Sequence, residues 1–81
     1  MISEQEKAFL KTGFKEVLKN IEKNLVSKLF IAEDSSDSMK DRLTAEATSR
    51  NISVFFIGTM KELGKHCGIE VGASCAAILK H

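Results

Sequence analysis

The most regular pattern of apolar residues in the chain begins just after Gly13. Apolar side chains recur there at the three- and four-residue spacing that places them on one face of a helix: Phe14, Val17, Leu18, Ile21 and Leu25. This spacing predicts an amphipathic helix, which Asn24 is expected to end. Gly13 interrupts the preceding pattern, so the helix should begin directly after it.

Capping signals predict a short helix near the N-terminus and a longer one in the middle of the chain. Ser3 and Glu6 have the spacing of a capping box, which indicates the short helix. Ser38, with Asp41 three residues later, is expected to begin the longer one. That helix would stop near residues 49–51 and turn three residues inward: Met39, Leu43 and Ala47.

The last predicted helix begins at a capping box formed by Thr59 and Glu62. Its buried face should comprise four residues at helical spacing: Met60, Leu63, Gly64 and Cys67. Gly64 on that face would let another backbone segment come close, because it has no side chain. Gly68 suits the left-handed position that ends a helix.

Four short segments have the composition of β-strands. Residues 28–32 and 52–57 are nearly continuous apolar runs, so both faces of these two strands are expected to be covered. Residues 75–79 form a third apolar strand, and residues 9–12 extend as an edge strand. Strands that alternate with helices through short connections predict a three-layer α/β/α sandwich around a four-stranded mixed sheet.

Length and composition limit the classes of protein to which the chain can belong. Its 81 residues, 43% of them hydrophobic and 28% charged, are expected to make one soluble domain over residues 1–81. The formal net charge is only +1, so attraction to nucleic acid would depend on local patterns of charge. No apolar run approaches the roughly 20 residues of a membrane span. The polar N-terminus is unlike a signal peptide, and two cysteines without a paired motif favour a cytoplasmic protein.

A stripe of lysines accompanies the helix after Gly13. The lysines recur every four residues: Lys11, Lys15, Lys19 and Lys23. Gly13 and Lys15 stand together at the helix start, where backbone N–H groups and the positive end of the helix dipole favour an anion such as phosphate. A solvated lysine face is the alternative interpretation, and the spacing alone leaves both open.

The loop at residues 69–73 carries two apolar residues, Ile69 and Val71, that the following strand does not need. Glycines recur every four residues around this loop, but polar residues between the first two argue against a membrane-type glycine face. The order of helix, loop and strand is also the reverse of that in a phosphate-binding glycine loop. A helix stop and a tight turn account for Gly68 and Gly72 but not for the two apolar residues.

Candidates for catalysis or metal binding are few. His66 and Cys67 are adjacent on a helix, so their side chains point about 100° apart and form no nucleophile–base pair. Cys67 and Cys75 fall on apolar patterns and are expected to be packed thiols. Helix capping accounts for a cluster of acidic residues that could otherwise bind a cation weakly: Glu33, Asp34 and Asp37. The five Phe residues lie on core patterns, which argues against a base-stacking platform. We therefore expect no enzyme activity, no metal and no cofactor.

Three stretches of the chain together form a recognisable pattern. Residues 60–73 are M-K-E-L-G-K-H-C-G-I-E-V-G-A, residues 13–22 are G-F-K-E-V-L-K-N-I-E, and residues 31–34 are I-A-E-D. They resemble the kink-turn-binding ribosomal proteins of the L-seven-Ae group, in particular the small bacterial members. The first is similar to the family's L-G-x-x-x-G helix and RNA-contacting loop, the second to its G-x-N-E-x-x-K segment, and the third to its junction between a strand and an acidic turn.

The resemblance implies a fold that grips a sharply bent RNA at tandem sheared G·A pairs. By position, it implies that four residues approach these pairs and the RNA backbone: Gly13, Lys15, Glu16 and Lys19. It implies that four loop residues lie against a flipped-out nucleotide: Ile69, Glu70, Val71 and Gly72. Lys15 stands where many members have asparagine, although the small bacterial members resemble this chain in having lysine. Asp37 stands where a proline is usual.

The residues and the resemblance agree on an RNA-binding module. A lysine-flanked helix start supplies phosphate contacts and hydrogen-bond donors, and an apolar loop supplies a seat for an extruded base. We therefore expect a monomeric, non-catalytic protein that stabilises kink-turn RNA in ribosomal or regulatory transcripts, with structured RNA as its partner and the ribosome as a candidate second one. A protein-interaction domain that keeps the fold but has lost the RNA surface is the alternative.

Overall fold

The computed structural model of the protein describes residues 2–80. The elements along the chain are α1 (Glu4–Lys7), β1 (Leu10–Thr12), α2 (Phe14–Glu22), β2 (Val26–Ala32), α3 (Asp37–Ser49), β3 (Ser53–Ile57), α4 (Met60–Cys67) and β4 (Cys75–Leu79). The strands form one sheet in the order β1-β4-β2-β3. β4 runs antiparallel to both of its neighbours, and β2 and β3 are parallel. The mixed four-stranded sheet predicted from the sequence is confirmed.

The core lies on both faces of this sheet. Leu29 and Ile31 of β2 face a cluster formed with α2 and α3. Phe30 and Ala32, which alternate with them, face a second cluster formed with α4. Because consecutive side chains of a strand point to opposite faces, β2 is buried on both sides and the three layers follow. No helix within residues 2–80 has the length and hydropathy of a membrane-spanning segment.

β3 differs from its sequence-based prediction. It lies at the edge of the sheet, and its residues Phe55 and Phe56 are 43% and 49% exposed. The prediction that both faces of this strand are covered is therefore wrong, as is the placement of all five Phe residues in the core. A continuous apolar run predicts a strand, but it does not distinguish a central strand from an edge strand. The Phe55 ring stacks on that of Phe30, with the ring centroids 5.4 Å apart.

The start of α3 also differs from its prediction. Ser36, and not Ser38, is the N-cap, and its hydroxyl accepts from the Met39 backbone N–H at 3.4 Å. The helix starts earlier because the chain turns immediately after β2, where both the N–H and the hydroxyl of Ser35 donate to the Ala32 carbonyl. The predicted inner face of the helix is confirmed, since Leu43 and Ala47 are buried and Met39 packs against them.

The two capping boxes predicted from the sequence, at the starts of α1 and α4, differ in the structure. The reciprocal box of Ser3 and Glu6 is present at the start of α1. At the start of α4 the Thr59 hydroxyl accepts from the Glu62 backbone N–H at 3.0 Å, as predicted. The Glu62 carboxylate, however, accepts from the same hydroxyl at 3.4 Å and not from the Thr59 backbone. The box at α4 is therefore half formed.

Candidate functional site

One end of the sheet gathers the residues that the sequence singled out. Because β1, β2 and β3 all run in the same direction, their carboxyl ends meet at this end, next to the start of β4. The helices α2, α3 and α4 begin within a few residues of those strand ends, so three helix N-termini are at the same end of the sheet. The unpaired N–H groups of such termini carry partial positive charge, which favours an anionic ligand.

The start of α2 has no side-chain cap. Gly13 occupies the N-cap position with φ 90° and ψ 145°, a backbone conformation close to the one that only glycine adopts readily. A Cβ placed on Gly13 would meet no atom within 4 Å. The backbone conformation, and not lack of space, therefore requires glycine here. The same observation means that the space beside Gly13, on the side where a Cβ would lie, is open.

The lysines of the stripe are unpaired cations that run from the strand before this uncapped start to the far end of the helix. Lys15 and Lys19 are exposed, as are Lys11 and Lys23, and none of the four forms an ion pair with another residue of the described chain. Glu16 is exposed as well, but its side chain has a local partner. The Asn20 amide donates to the Glu16 carbonyl at 2.8 Å and lies 3.4 Å from the Glu16 carboxylate. This contact draws the carboxylate towards the second turn of the helix.

The loop that follows α4 is held against that helix by backbone contacts. The Ile69 N–H donates to the Gly64 carbonyl, and the Ala73 N–H donates to the Met60 carbonyl, both at 3.0 Å. A Cβ on Gly64 would collide with the Val71 carbonyl oxygen and come within 3.2 Å of the Gly72 Cα. The prediction that Gly64 admits another backbone is confirmed, and the backbone is that of the candidate RNA-contacting loop itself.

The loop side chains divide into supporting and exposed ones. Ile69 is half-buried and packs against the core cluster on the α4 side, which gives this apolar residue a structural role. Val71 is 71% exposed, and Glu70 and Gly72 are exposed beside it. Of the two apolar residues that the following strand does not need, Val71 is therefore the one that remains available to a ligand.

Met60 joins this surface, contrary to its prediction as a buried residue of α4. It is 38% exposed, and its Cβ lies 3.3 Å from the position that a Cβ on Gly72 would take. Met60 is the first residue of its helix and lies beyond the end of the sheet, so it packs under the loop and not over the core. Helical spacing alone gave no sign of this.

A hydrogen bond joins the two halves of the candidate site. The Gly13 N–H donates to the Cys75 carbonyl at 3.2 Å, and Thr12 pairs with Ala76 in the sheet. Gly72 is three residues before Cys75, so its Cα lies within about 11 Å of the Cys75 Cα. The α2 start and the loop are therefore neighbours at one edge, although they are far apart in sequence.

The other two helix starts at this end are filled by the chain's own side chains. Ser36 caps α3 and Thr59 caps α4. The Asp34 carboxylate also accepts from the Met60 N–H at 2.8 Å, which explains part of the acidic loop by capping. The described part of the chain contains no group of three His, Cys, Asp or Glu residues that could hold a metal ion.

The two cysteines are buried free thiols, as predicted. Burial raises the pKa of the Cys67 thiol, and burial raises that of Cys75 to about 11. Both thiols therefore stay protonated near neutral pH, and a protonated, buried thiol is a poor nucleophile. Their side chains belong to the cores on opposite faces of the sheet, which agrees with a packing role.

Comparison with known proteins identifies the family. Residues 2–81 match the model of the ribosomal protein L7Ae/L30e/S12e/Gadd45 family. The chain belongs to this family. An RNA-binding protein of Halalkalibacterium halodurans is 37% identical over 68 residues, which cover 84% of this chain and 83% of that protein. An RNA-binding protein of Staphylococcus aureus strain N315 is 40% identical over 68 residues, covering 84% of this chain and 81% of the relative.

Solved structures of this fold are similar as well. The 15.5kD RNA binding protein of Giardia lamblia superposes with a TM-score of 0.80 at 28% sequence identity, covering 91% of this chain and 62% of that one. A Bacillus halodurans protein of unknown function superposes with a TM-score of 0.81 at 22% identity, covering 90% of this chain and 73% of that one. These similarities agree with the α/β sandwich of the family.

Proposed function

We propose that the protein binds RNA and that it recognises and stabilises kink-turns through their tandem sheared G·A pairs, without catalysis. The observation that carries the proposal is the joint between the two halves of the site. An uncapped helix start with unpaired lysines is hydrogen-bonded, through Gly13 and Cys75, to the exit of a loop that exposes Val71. The RNA-binding names of the bacterial relatives and of the Giardia protein support the same class of ligand.

The two halves would contact different parts of a bent RNA. The first-turn N–H groups of α2, together with Lys15 and Lys19, would bind phosphates and the edges of the G·A pairs. Gly13 leaves the space beside it open, and Glu16 would accept from a base near the second turn, where Asn20 draws its carboxylate.

The loop would supply the second contact. Val71 and Gly72 would lie against an extruded nucleotide, because bases pulled out of the stack are bound by apolar and backbone surfaces. Glu70 would border that pocket, and Ile69 would hold the loop in position from below through its contact with the core.

We propose a biological setting for this binding. One domain, residues 1–81, would bind one kink with a single copy of the chain, in a ribosomal or regulatory RNA in the cytoplasm, with the ribosome as a candidate second partner. Shape would account for much of the selectivity, because the net charge of +1 provides little non-specific attraction to nucleic acid.

A comparison of two RNAs tests the proposal. Affinity is measured for a kink-turn RNA and for the same RNA with its G·A pairs replaced by Watson–Crick pairs, which removes the kink and keeps the length and charge. The kink-turn should bind more tightly by tenfold or more, which corresponds to about 1.4 kcal/mol. Equal affinities for the two RNAs would contradict kink recognition.

A further inference from the structure

The outer edge of β3 lacks the features that usually protect an edge strand. Within residues 2–80 this strand pairs with β2 alone. Its five residues contain no proline and no charge. β1, at the opposite edge, has only three residues and carries an exposed lysine, Lys11. Short length, proline and lysine are the common means by which proteins prevent edge strands from pairing with other chains, and β3 has none of them.

The backbone groups on this edge can be assigned from one hydrogen bond. The Ile57 carbonyl accepts from the Glu33 N–H at 2.7 Å, so Ile57 directs its polar backbone groups towards the β2 side. Because the direction alternates along a strand, Val54 and Phe56 direct theirs outward. The outer edge therefore presents two N–H groups and two carbonyls to a further strand.

The side chains add an apolar contribution on both faces. Phe55, stacked on Phe30, is 43% exposed on the α4 side of the sheet, and Phe56 is 49% exposed on the opposite side. A strand laid along this edge would cover parts of both rings, in addition to satisfying the four outward backbone groups.

We propose that the β3 edge pairs with the β3 edge of a second copy of this chain, antiparallel, about a two-fold axis through Phe55. The outward groups fix this register. Val54 of one copy exchanges both of its hydrogen bonds with Phe56 of the other, and Phe55 lies directly opposite its own counterpart. In an antiparallel ladder that central position is a pair without hydrogen bonds, in which side chains approach most closely. Two Phe55 rings are a favourable cross-strand pair there.

The charges of the strand and its ends favour a second copy as the occupant. The paired residues are neutral, so no like charges face each other across the ladder. The two-fold axis places Arg50, which precedes β3 in one copy, near the residues that follow β3 in the other copy. The Glu62 carboxylate lies at that end of the strand, 3.3 Å from the position that a Cβ on Gly58 would take. Arg50 already pairs with Glu46 in its own chain, so its added attraction is modest. A net charge of +1 per chain opposes association only slightly.

The size of the contact predicts a weak, closed dimer. Stable interfaces bury at least about 1,000 Å², which is more than a five-residue edge is expected to supply. The association should therefore depend on protein concentration. It should stop at two copies, because the two-fold pairing occupies the β3 edge of each copy. β3 is separated from the α2 start by β2 and β4. The dimer would thus leave the α2 start of each chain uncovered, and the pairing does not depend on the proposed RNA function.

Sedimentation equilibrium of the RNA-free chain, at protein concentrations up to about 1 mM, tests the proposal. This range detects a dimer with a dissociation constant as weak as about 1 mM. We expect a monomer–dimer equilibrium, and Phe56→Lys should weaken it by tenfold or more because a lysine charge would enter the ladder. Leu25→Lys is the matched control. Leu25 is 42% exposed and is not part of β3, so the same replacement there should leave the equilibrium unchanged. A wild-type monomer at the highest concentration, or equal effects of the two replacements, would overturn the proposal.

A cross-linking pair tests the register. Phe55→Cys on the axis would place two cysteines with Cα atoms about 4.5 Å apart, within the range of a disulfide. Ser53→Cys would place them about 13 Å apart, four residues out of register. Under mild oxidation, Phe55→Cys should form a covalent dimer. Ser53→Cys should not exceed the wild-type background set by the buried Cys67 and Cys75. Equal cross-linking of both variants, or cross-linking of neither, would exclude this register.

Discussion

The starts of α2 and α4 occupy equivalent places in the fold but have opposite chemistry. Each follows a strand that finishes at the same end of the sheet and has the unpaired N–H groups of a helix start. At α4 the chain satisfies these groups itself. Thr59 accepts from the Glu62 N–H at 3.0 Å, and Asp34 accepts from the Met60 N–H at 2.8 Å. At α2, Gly13 has no side chain with which to do so.

This difference indicates which helix start is structural and which is available to a ligand. A capping side chain stabilises a helix by only roughly a few tenths of a kcal/mol more than a glycine cap does, and α2 lacks that contribution. It has instead a glycine in a conformation that other residues avoid, and lysines without ion-pair partners. An anion bound at the α2 start would satisfy the same N–H groups that Thr59 and Asp34 satisfy at α4.

The largest expected effect comes from Gly64, which fixes the loop on the α4 side. Gly64→Ala places a Cβ against the Val71 carbonyl and Gly72, and backbone atoms cannot turn aside as a flexible side chain can. Overpacking of this kind costs about 1–3 kcal/mol, which the higher helix propensity of alanine offsets in part. Urea denaturation measures the loss, and RNA affinity should fall with it because the loop is displaced.

Gly58→Ala is the matched control for this change. A Cβ on Gly58 would meet only the end of the Glu62 side chain, at 3.3 Å, and that carboxylate can move. The control should therefore cost little stability. If the two variants are equally stable, backbone contact at Gly64 does not hold the loop.

The next effect in size distinguishes the two helix starts. Thr59→Ala removes the α4 cap and should cost about 1 kcal/mol of unfolding free energy. The variant should bind RNA more weakly only as far as it is less stable. The ratio of its affinities for kinked and Watson–Crick RNA should be unchanged. A changed ratio would show that α4, as well as α2, presents its start to the RNA.

A pH-dependent effect is expected at the joint between the two halves of the site. Burial raises the pKa of the Cys75 thiol to about 11, while the unfolded chain ionises it near its ordinary value of 9.0. The buried neutral thiol therefore contributes its full stability below about pH 9. That contribution is lost as the pH rises towards 11, because the unfolded state loses its proton first.

Urea midpoints between pH 8 and 10.5 measure this loss. Wild type should lose more stability over that interval than Cys75→Ala, which has no thiol at position 75 to ionise. Cys75→Ala should itself be less stable at pH 7, by about 1 kcal/mol or more, because a cavity replaces the sulfur. Parallel pH profiles for the two proteins would contradict the assignment of the alkaline loss to Cys75.

The sequence predicted the helices and strands better than it predicted the position of each strand in the sheet or the residue at which each helix begins. Apolar periodicity identified α2 and the inner face of α3, because packing against one core imposes that spacing. It could not identify β3 as an edge strand, since a run such as residues 53–57 has the same composition at the centre of a sheet and at its margin. The choice between Ser36 and Ser38 depended on a turn at Ser35 whose hydrogen bonds were not visible in the sequence.

The sequence singled out the residues of the candidate site, but it did not indicate which of them are exposed and which support the loop. Gly13 and Gly64 could be recognised because glycine at a helix start or on a buried helix face usually meets a requirement of the backbone. The sequence did not reveal that Ile69 is half-buried or that Met60 is exposed, because both depend on the path of the loop across the start of α4. The contact of Asn20 with Glu16 is a local one that four-residue spacing permits but does not require.

The most direct test of the account compares Lys15→Ala with Lys23→Ala on kinked and Watson–Crick RNA over a range of salt concentrations. Lys15 lies in the first turn of α2 beside Gly13, and Lys23 is the C-cap at the far end of the same helix. Both are exposed lysines, so Lys23 is the matched control for loss of charge.

If the α2 start reads the G·A pairs, Lys15→Ala should reduce the discrimination between the two RNAs by about 1–3 kcal/mol. Lys23→Ala should leave that discrimination unchanged, or weaken both RNAs equally. A Lys15→Ala variant that weakens both RNAs by one factor and flattens the salt dependence would restrict Lys15 to phosphate contact. A variant that binds both RNAs as wild type does would contradict the claim that the α2 start faces the RNA.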